Sequence, residues 1–460
     1  MKNLIGSKDF YRRVLLVAVP IMIQNGITNF VGMLDNIMVG QIGTNQMSGV
    51  AIVNQLIFIF NLCIFGGISG AGIFTAQYYG SNNDEGIRYT FRYKIILVLI
   101  IALCALGIFL CYGDNLISLY LNGESAGNDA SQTLFYAKQY LLVMMLDFIP
   151  FAITNAYAGT LRETEETMLP MKAGIAAVFV NLIFNYILIY GKLGAPALGV
   201  TGAAIATVIS RFVELAIIVI WTHTHTAKNK FIVGAYKSMR IPLPLAKMIF
   251  LKGTPLLINE TLWAGGQAML TQTYSFLGLN VVAAMNISTT LSNVFNIIMI
   301  ALGNSIAIII GKELGARSET VKSDAYKLIF FSVISCVVTG ALMVVFAPLF
   351  PSIYNTTSEV KALATSFIVV AACCMPMYSF ENASYFIIRS GGKTIITFLF
   401  DSCFLWVAII PVAFVLVHFT GLSIVAIYAL VQLVDILKCT IGFILVRSGM
   451  WINNLALGTD

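Results

Sequence analysis

Carboxyl and amide side chains set inside long apolar runs are the residues of this 460-residue sequence best placed to do chemistry. Asp35, Asp147, Glu260 and Glu381 each stand in stretches dominated by aliphatic and aromatic residues, and Asn181 and Asn185 stand four apart in another. That spacing puts the two amides on one face of a helix. A carboxylate flanked by amide carbonyls supplies the oxygen ligands a hard cation such as Na+ needs, whereas burial alone raises a carboxyl's affinity for a proton. Either ion could therefore load at Asp35, Asn181 and Asn185. The competing reading is that Asp35 caps or is hydrated at the outer end of its helix while the two asparagines hold helices together. Asp147, close before Pro150, is a candidate counter-charge for a cationic substrate. Tyr378 and Glu381 are candidates for a substrate or second cation site, against the alternative of a buried carboxyl held by neighbours such as Asn382.

These groups need a reason to be where they are, because an ionisable side chain at bilayer depth costs about 2.5–3.5 kcal/mol on insertion scales. The chain is 58% hydrophobic and only 10% charged, which excludes a mainly water-soluble globule. Twelve apolar runs recur, at 14–40, 51–78, 95–111, 134–158, 171–190 and 198–221, then 255–277, 281–310, 328–350, 360–387, 395–417 and 422–446. Each is apolar on all sides and long enough to cross the hydrocarbon as a helix, so the expected fold is an all-α polytopic membrane protein rather than a β-barrel. Lys and Arg gather before the first run and in the even-numbered loops, with Lys138, Lys192 and Lys361 alone on the other side. Both termini are therefore expected in the cytoplasm, with the chain multiply spanning the cell's inner (plasma) membrane. The run after Arg13 is too long for a cleavable signal peptide and is expected to stay in the membrane. The eight cysteines, in or at the edges of apolar runs without zinc-type spacing, read as small core residues.

A repeat relates the two halves. An offset of 235 places Pro20 on Pro255, Gly43 on Gly278, Asn61 on Asn296 and Gly80 on Gly315; an offset of 227 places Asn155 on Asn382 and Arg162 on Arg389. Both halves begin with an outward-running span, so the duplication is parallel, about an axis along the membrane normal. The expected organisation is an amino-terminal six-helix lobe at 1–221, a cytoplasmic connector at 222–247 and a carboxy-terminal six-helix lobe at 248–460.

The order Pro20, Gln24, Asp35, Gly40, Gly43, Gly66, Gly70 and Ala76-Gln77-Tyr78-Tyr79-Gly80 resembles the opening of the multidrug and toxic compound extrusion (MATE) transporters. The resemblance continues through Arg162, Thr167, Pro170, the run from Asn181 through Asn185 to Gly191, and Gly199 to Thr207. In the second half Pro255, Asn259-Glu260, Trp263, Gly266, Asn286 and the stretch ending at Ala316 look like the corresponding lobe. It implies two pseudo-symmetric six-helix bundles in a V shape around a central cavity, and alternating-access export of organic cations in exchange for Na+ or H+. It also implies that Asp35, Asn181 and Asn185 form an amino-terminal cation site, with Glu260 in the coupling site of the other lobe.

Pro20 and Pro255, near the inner ends of the lead helices, are hinge candidates, although a proline kink is equally able to be static. Arg211 with Glu214 and Asp435 with Lys438 are three apart and read as intrahelical pairs, while Arg162 and Arg389 read as cytoplasmic loop anchors. No His-Glu-x-x-His motif or phosphate-binding loop is present, so an enzyme is not expected, nor any cofactor beyond the coupling ion. Small-molecule cations and the bilayer are the expected partners, with no nucleic acid, for a chain working as a monomer. A lipid-linked oligosaccharide flippase of the same superfamily is the alternative; a cavity lined with several arginines would favour it, and Arg211 is the only arginine deep in a run.

Overall fold

The computed structural model describes residues 4–121 and 129–456, and within them every regular element is helical. The amino-terminal half runs α1 (Lys8–Gly40), α2 (Thr44–Gly80), α3 (Asp84–Ser118), α4 (Asp129–Met144), α5 (Phe148–Glu163), α6 (Met168–Tyr190) and α7 (Gly199–Thr224). The other half runs α8 (Leu243–Ser275), α9 (Leu279–Gly315), α10 (Val321–Phe346), α11 (Ser358–Ser390), α12 (Thr394–Phe398), α13 (Ile410–Phe419), α14 (Ile424–Leu433) and α15 (Asp435–Ser448). Three of the expected spans are each built from two of these helices: α4 and α5 join through a tight 3-10 turn, α12 and α13 through wider π-helical turns at Leu399–Ile409, and α14 meets α15 at Val434.

Among the described residues eleven helical runs are long and apolar enough to cross a membrane, and α8, which holds the place expected for the seventh of twelve spans, falls outside that set. Its 33 residues are ample in length, but Lys247, Lys252, Asn259 and Glu260 lower its hydropathy. Large apolar side chains such as Leu16, Phe58, Leu110 and Phe179 are exposed on the helix surfaces, as a lipid solvent allows. The helices also overrun the apolar segments. Arg88, Arg92 and Lys94, expected between the second and third spans, lie inside α3, whose start is capped by Asn83 accepting from the Gly86 N–H at 2.8 Å. Lys94 is fully buried and pairs with Glu163 at the end of α5.

Two compact units emerge. One comprises 23–75 and 83–247; the other comprises 1–22, 76–82 and 248–460. In the first, Phe60 stacks on Phe148 with ring centroids 4.4 Å apart, and α6 packs along α7 where Gly202 meets the Leu188 carbonyl with no room for a Cβ. The connector belongs to this unit and is held to it. Arg92 donates to the carbonyls of Gly234 (2.9 Å), Ala235 (2.7 Å) and Arg240 (3.1 Å), Arg88 donates to Phe231 O (3.2 Å), and Phe231, Ile232 and Ala235 are buried.

In the second unit, α9 and α10 both pack on α11, and Phe10 and Val14 of α1 join the core formed with Ile306, Ile310, Leu314 and Trp451. The repeat-related glycines Gly80 and Gly315 meet here. A Cβ on Gly80 would lie 1.9 Å from Lys312 O, and one on Gly315 would lie 1.9 Å from Gln77 O. Gln77 binds the chain's other end as well: its Nε2 donates to Ser390 O (2.9 Å) and Asn453 O (3.1 Å), and its Oε1 accepts from the Leu455 N–H at 2.6 Å.

Gly315→Ala is therefore expected to cost about 1–3 kcal/mol, the usual penalty of overpacking. Gly107→Ala, which meets nothing within 4 Å, should leave the thermal midpoint in detergent unchanged or slightly raised. Arg92→Gln removes charge-assisted bonds to three carbonyls, so trypsin cleavage at Lys228, Lys230, Lys237 and Arg240 should accelerate on the order of tenfold or more. Equal cleavage rates for native and variant protein would show that these bonds do not hold the connector.

Candidate functional site

The first unit gathers Asp35, Asn181 and Asn185 into one network. Asn185, 1% exposed, donates through Nδ2 to Asp35 Oδ1 at 2.6 Å and to Asn181 Oδ1 at 3.0 Å. Asn181, 4% exposed, donates in turn to Thr207 Oγ1 on α7 at 3.3 Å, and Thr207 donates to Ala203 O one turn earlier at 3.1 Å. The four-residue spacing on α6 thus stacks two amides along one face, and α1 and α7 supply the groups at either end of the chain of bonds. Asn185 Oδ1 is buried and accepts no protein hydrogen bond. A buried carbonyl of that kind calls for a partner, and a cation beside a carboxylate is one such partner.

Asp35 and Asn185 also line a cavity of about 770 Å³ within this unit. Thr28, Asn29, Asn36, Asn54, Tyr140 and Thr207 supply most of the remaining polar lining, and the Tyr140 hydroxyl donates to Asn54 Oδ1 at 3.3 Å. Sequence reasoning missed these residues. Asn29 and Asn36 carried a usable signal, since they are seven apart in α1 and two helical turns bring them to the same face. Asn54 and Tyr140 carried none, because a single polar residue in a helix reports neither its face nor its neighbour.

Asp147 lies on the 3-10 turn Met145–Asp147 between α4 and α5. Pro150 accounts for this local tightening, because its missing N–H leaves the carbonyl of Leu146 without its helical donor. Asp147 is buried, is absent from the cavity's lining residues, and has an Oδ1 that accepts no hydrogen bond. Its charge, with those of Asp35 and Glu214, attracts Arg211. Arg211 binds Glu214 Oε2 at 2.8 Å, as the three-residue spacing anticipated. Arg162 sits in the last turn of α5 and donates to Gln24 Oε1 at 3.0 Å, so it ties two helices rather than a loop.

The second unit brings Glu381 of α11 beside groups from other helices. Lys438 Nζ lies 3.5 Å from Glu381 Oε2 and 3.0 Å from Asp401 Oδ1. The intrahelical pairing expected for Lys438 with Asp435 gives way to these bonds between helices. Asp401, which sequence reasoning passed over, sits in the π-helical turns after α12 and accepts from Asn259 Nδ2 at 3.0 Å. The rule that selected the other intramembrane carboxyls applied to it equally. Glu260 follows Asn259 on α8, is half-buried, and feels the opposite charge of Arg389 and the like charge of Asp401. Tyr378 packs with Phe295 against the apolar cluster of Leu291, Met343 and Met375. Pro20 and Pro255 both lie within continuous helices. Among the described residues no group of three or more His, Cys, Asp or Glu is arranged to hold a metal ion.

The MatE family model matches residues 20–187 and 255–415, most of the chain and both of its halves. The probable multidrug resistance protein NorM of Thermotoga maritima is 24% identical over 448 residues, covering 96% of this chain and 93% of the relative. The protein of the same name from Mannheimia succiniciproducens is 26% identical over 414 residues, covering 88% and 86%. An outward-facing conformation of a multidrug resistance MATE family transporter of the MOP superfamily superposes with a TM-score of 0.84 at 18% identity over 97% of both chains. The D35N mutant of the Vibrio cholerae MATE transporter VcmN gives 0.85 at 17% identity over 97% of this chain and 98% of that one. The shared fold is all-α, with about twelve membrane-crossing helices in two lobes. The chain thus belongs to the MATE family of multidrug and toxic compound extrusion transporters, multi-pass carriers rather than enzymes that export small organic compounds by secondary, ion-coupled transport.

Proposed function

We propose that this chain exports small organic cations in exchange for Na+ or H+, and that Asp35 is the group for which ion and substrate compete. The observation that carries the reading is the single network that joins Asp35, Asn185 and Asn181, of which Asp35 and Asn185 line a cavity, with one amide carbonyl left over. A proton can reside on Asp35 itself. A sodium ion would take Asp35 and the carbonyls of Asn181 and Asn185 as ligands. That the solved relative VcmN carries a D35N change agrees with attention to an aspartate in a protein of this fold, and the relatives named as probable multidrug resistance proteins support the substrate class.

Exchange requires that ion and substrate favour different conformations or exclude one another, since a ligand binding two states equally shifts neither. One charge moving through 100 mV supplies about 2.3 kcal/mol, to which an ion gradient adds. Asp147 then serves as an internal counter-charge for Arg211, and Glu260 as the carboxyl through which the other lobe senses the ion. Tyr378 is assigned to packing. Pro20 and Pro255 give α1 and α8 a turn without its full complement of hydrogen bonds, where alternating access would bend them. Lobe boundaries at residue 221 and at 247, cytoplasmic termini, a plasma-membrane location and function as a monomer complete the reading.

The test is export of a fluorescent cationic dye from proteoliposomes, first under a sodium gradient and then under a proton gradient. Gradient-driven export is expected for native protein and is expected to vanish for Asp35→Asn with folding intact. Normal export by Asp35→Asn would move the coupling site elsewhere, and no export of several dyes under either gradient would overturn the substrate class. If sodium is the ion, Asn185→Leu should weaken its apparent affinity roughly tenfold or more, the effect of losing one charge-linked hydrogen-bonding partner. An unchanged sodium dependence in that variant would remove Asn185 from the ligand set.

A further inference from the structure

Lys438 bridges two intramembrane carboxyls that come from other elements of the second unit, Glu381 and Asp401. Its ammonium group has three donors. Two are taken up by Asp401 Oδ1 at 3.0 Å and Glu381 Oε2 at 3.5 Å, and Nζ lies 5.4 Å from the centroid of the Phe400 ring, a favourable position for a cation. Each carboxylate is further held: Asp401 Oδ2 by Asn259 Nδ2 at 3.0 Å, and Glu381 Oε1 by the Cys439 thiol at 3.5 Å. Asp435, one turn before Lys438, is 7% exposed, and its Oδ1 accepts no hydrogen bond. The lysine therefore ties residues of α8, α11, α15 and the π-helical turns together through one positive charge.

We propose that Lys438 is a tethered cation that occupies the place between Glu381 and Asp401 in the carboxy-terminal unit, so that no dissociable ion loads between these two carboxylates. A free monovalent ion entering the cluster would have to share its oxygens with an ammonium group a few ångströms away, and like charges at that distance repel strongly in a medium of low dielectric. The lysine offsets one negative charge of the pair through a covalently held group, with no dependence on the ion outside. Exchange of the coupling ion is thereby confined to other carboxyls of the chain. This goes beyond the reading of Asp35 and does not require it, because Lys438 is bonded to Glu381 and Asp401 whatever ion drives the cycle.

The experiment follows thermal unfolding of the purified full-length Asp35→Asn variant in sodium chloride or in choline chloride at equal ionic strength. No sodium-specific shift arising from the cluster is expected. A sodium-dependent rise in Tm that Glu381→Gln abolishes would show a dissociable ion reaching these oxygens and would overturn the proposal. In the same background Lys438→Ala should lower Tm, and ethylammonium chloride, whose head group fits the space vacated by the side chain, should restore part of the loss where choline does not. Lys438→Arg should unfold close to the parent. An equal response of Lys438→Ala to ethylammonium and choline would leave Lys438 a packing residue and overturn its role as a counter-ion. Should Lys438→Ala fail to purify, the Lys438→Met/Asp401→Asn double variant, which removes one charge of each sign, is expected to purify; its failure beside a well-folded Lys438→Arg would count against the proposal.

Discussion

Hydrocarbon offers polar groups no hydrogen bonds, and this constraint organises the rest of the structure. Backbone groups meet it by being helical throughout. Side chains meet it pairwise or in chains: Lys94 with Glu163, Arg211 with Glu214, Asp35 with Asn185 and Asn181, Lys438 with Asp401 and Glu381. Removing one partner of such a pair costs more than the pair itself contributes, because the survivor is left charged or polar in a medium that cannot solvate it. The residues that pass this test least well stand out by contrast. Asn185 Oδ1, Asp147 Oδ1 and Asp435 Oδ1 all accept no protein hydrogen bond, and all three belong to the charged or amide clusters described above.

Much of this was legible in the sequence, for reasons that can be named. The span count followed from apolar length alone, and α8 shows the limit of that measure: its polar residues reduce its hydropathy because the helix has groups to present to Asp401 and Ser402. The four-residue spacing of Asn181 and Asn185 reported a shared face, and the structure joins both to Asp35. The offset of 235 found Gly80 and Gly315, although it could not say that the two would meet each other. Spacing along one helix failed where partners came from different helices. Lys438 was matched to Asp435 by a local rule, whereas its bonds go to Asp401 and Glu381, 37 and 57 residues away in the chain. Arg92 was assigned to a loop because basic residues mark loops, yet its aliphatic stem lies in α3 while its head group holds the connector.

The two units meet the same constraint with different chemistry. In the first, one carboxylate is bonded to neutral amides beside a cavity, an arrangement with capacity for an added charge. In the second, two carboxylates bind a lysine that supplies positive charge covalently.

The bonds of Gln77 bear on the order in which the protein can be made. Its amide is satisfied by Ser390 O, Asn453 O and the Leu455 N–H, so a side chain synthesised near the start waits for groups more than 300 residues later. During insertion that amide, at the end of α2, must remain hydrated or borrow a temporary partner until residue 455 has been made. Closure of the second unit around Gln77 is thus a late event that waits on residue 455 rather than on the helices beside it.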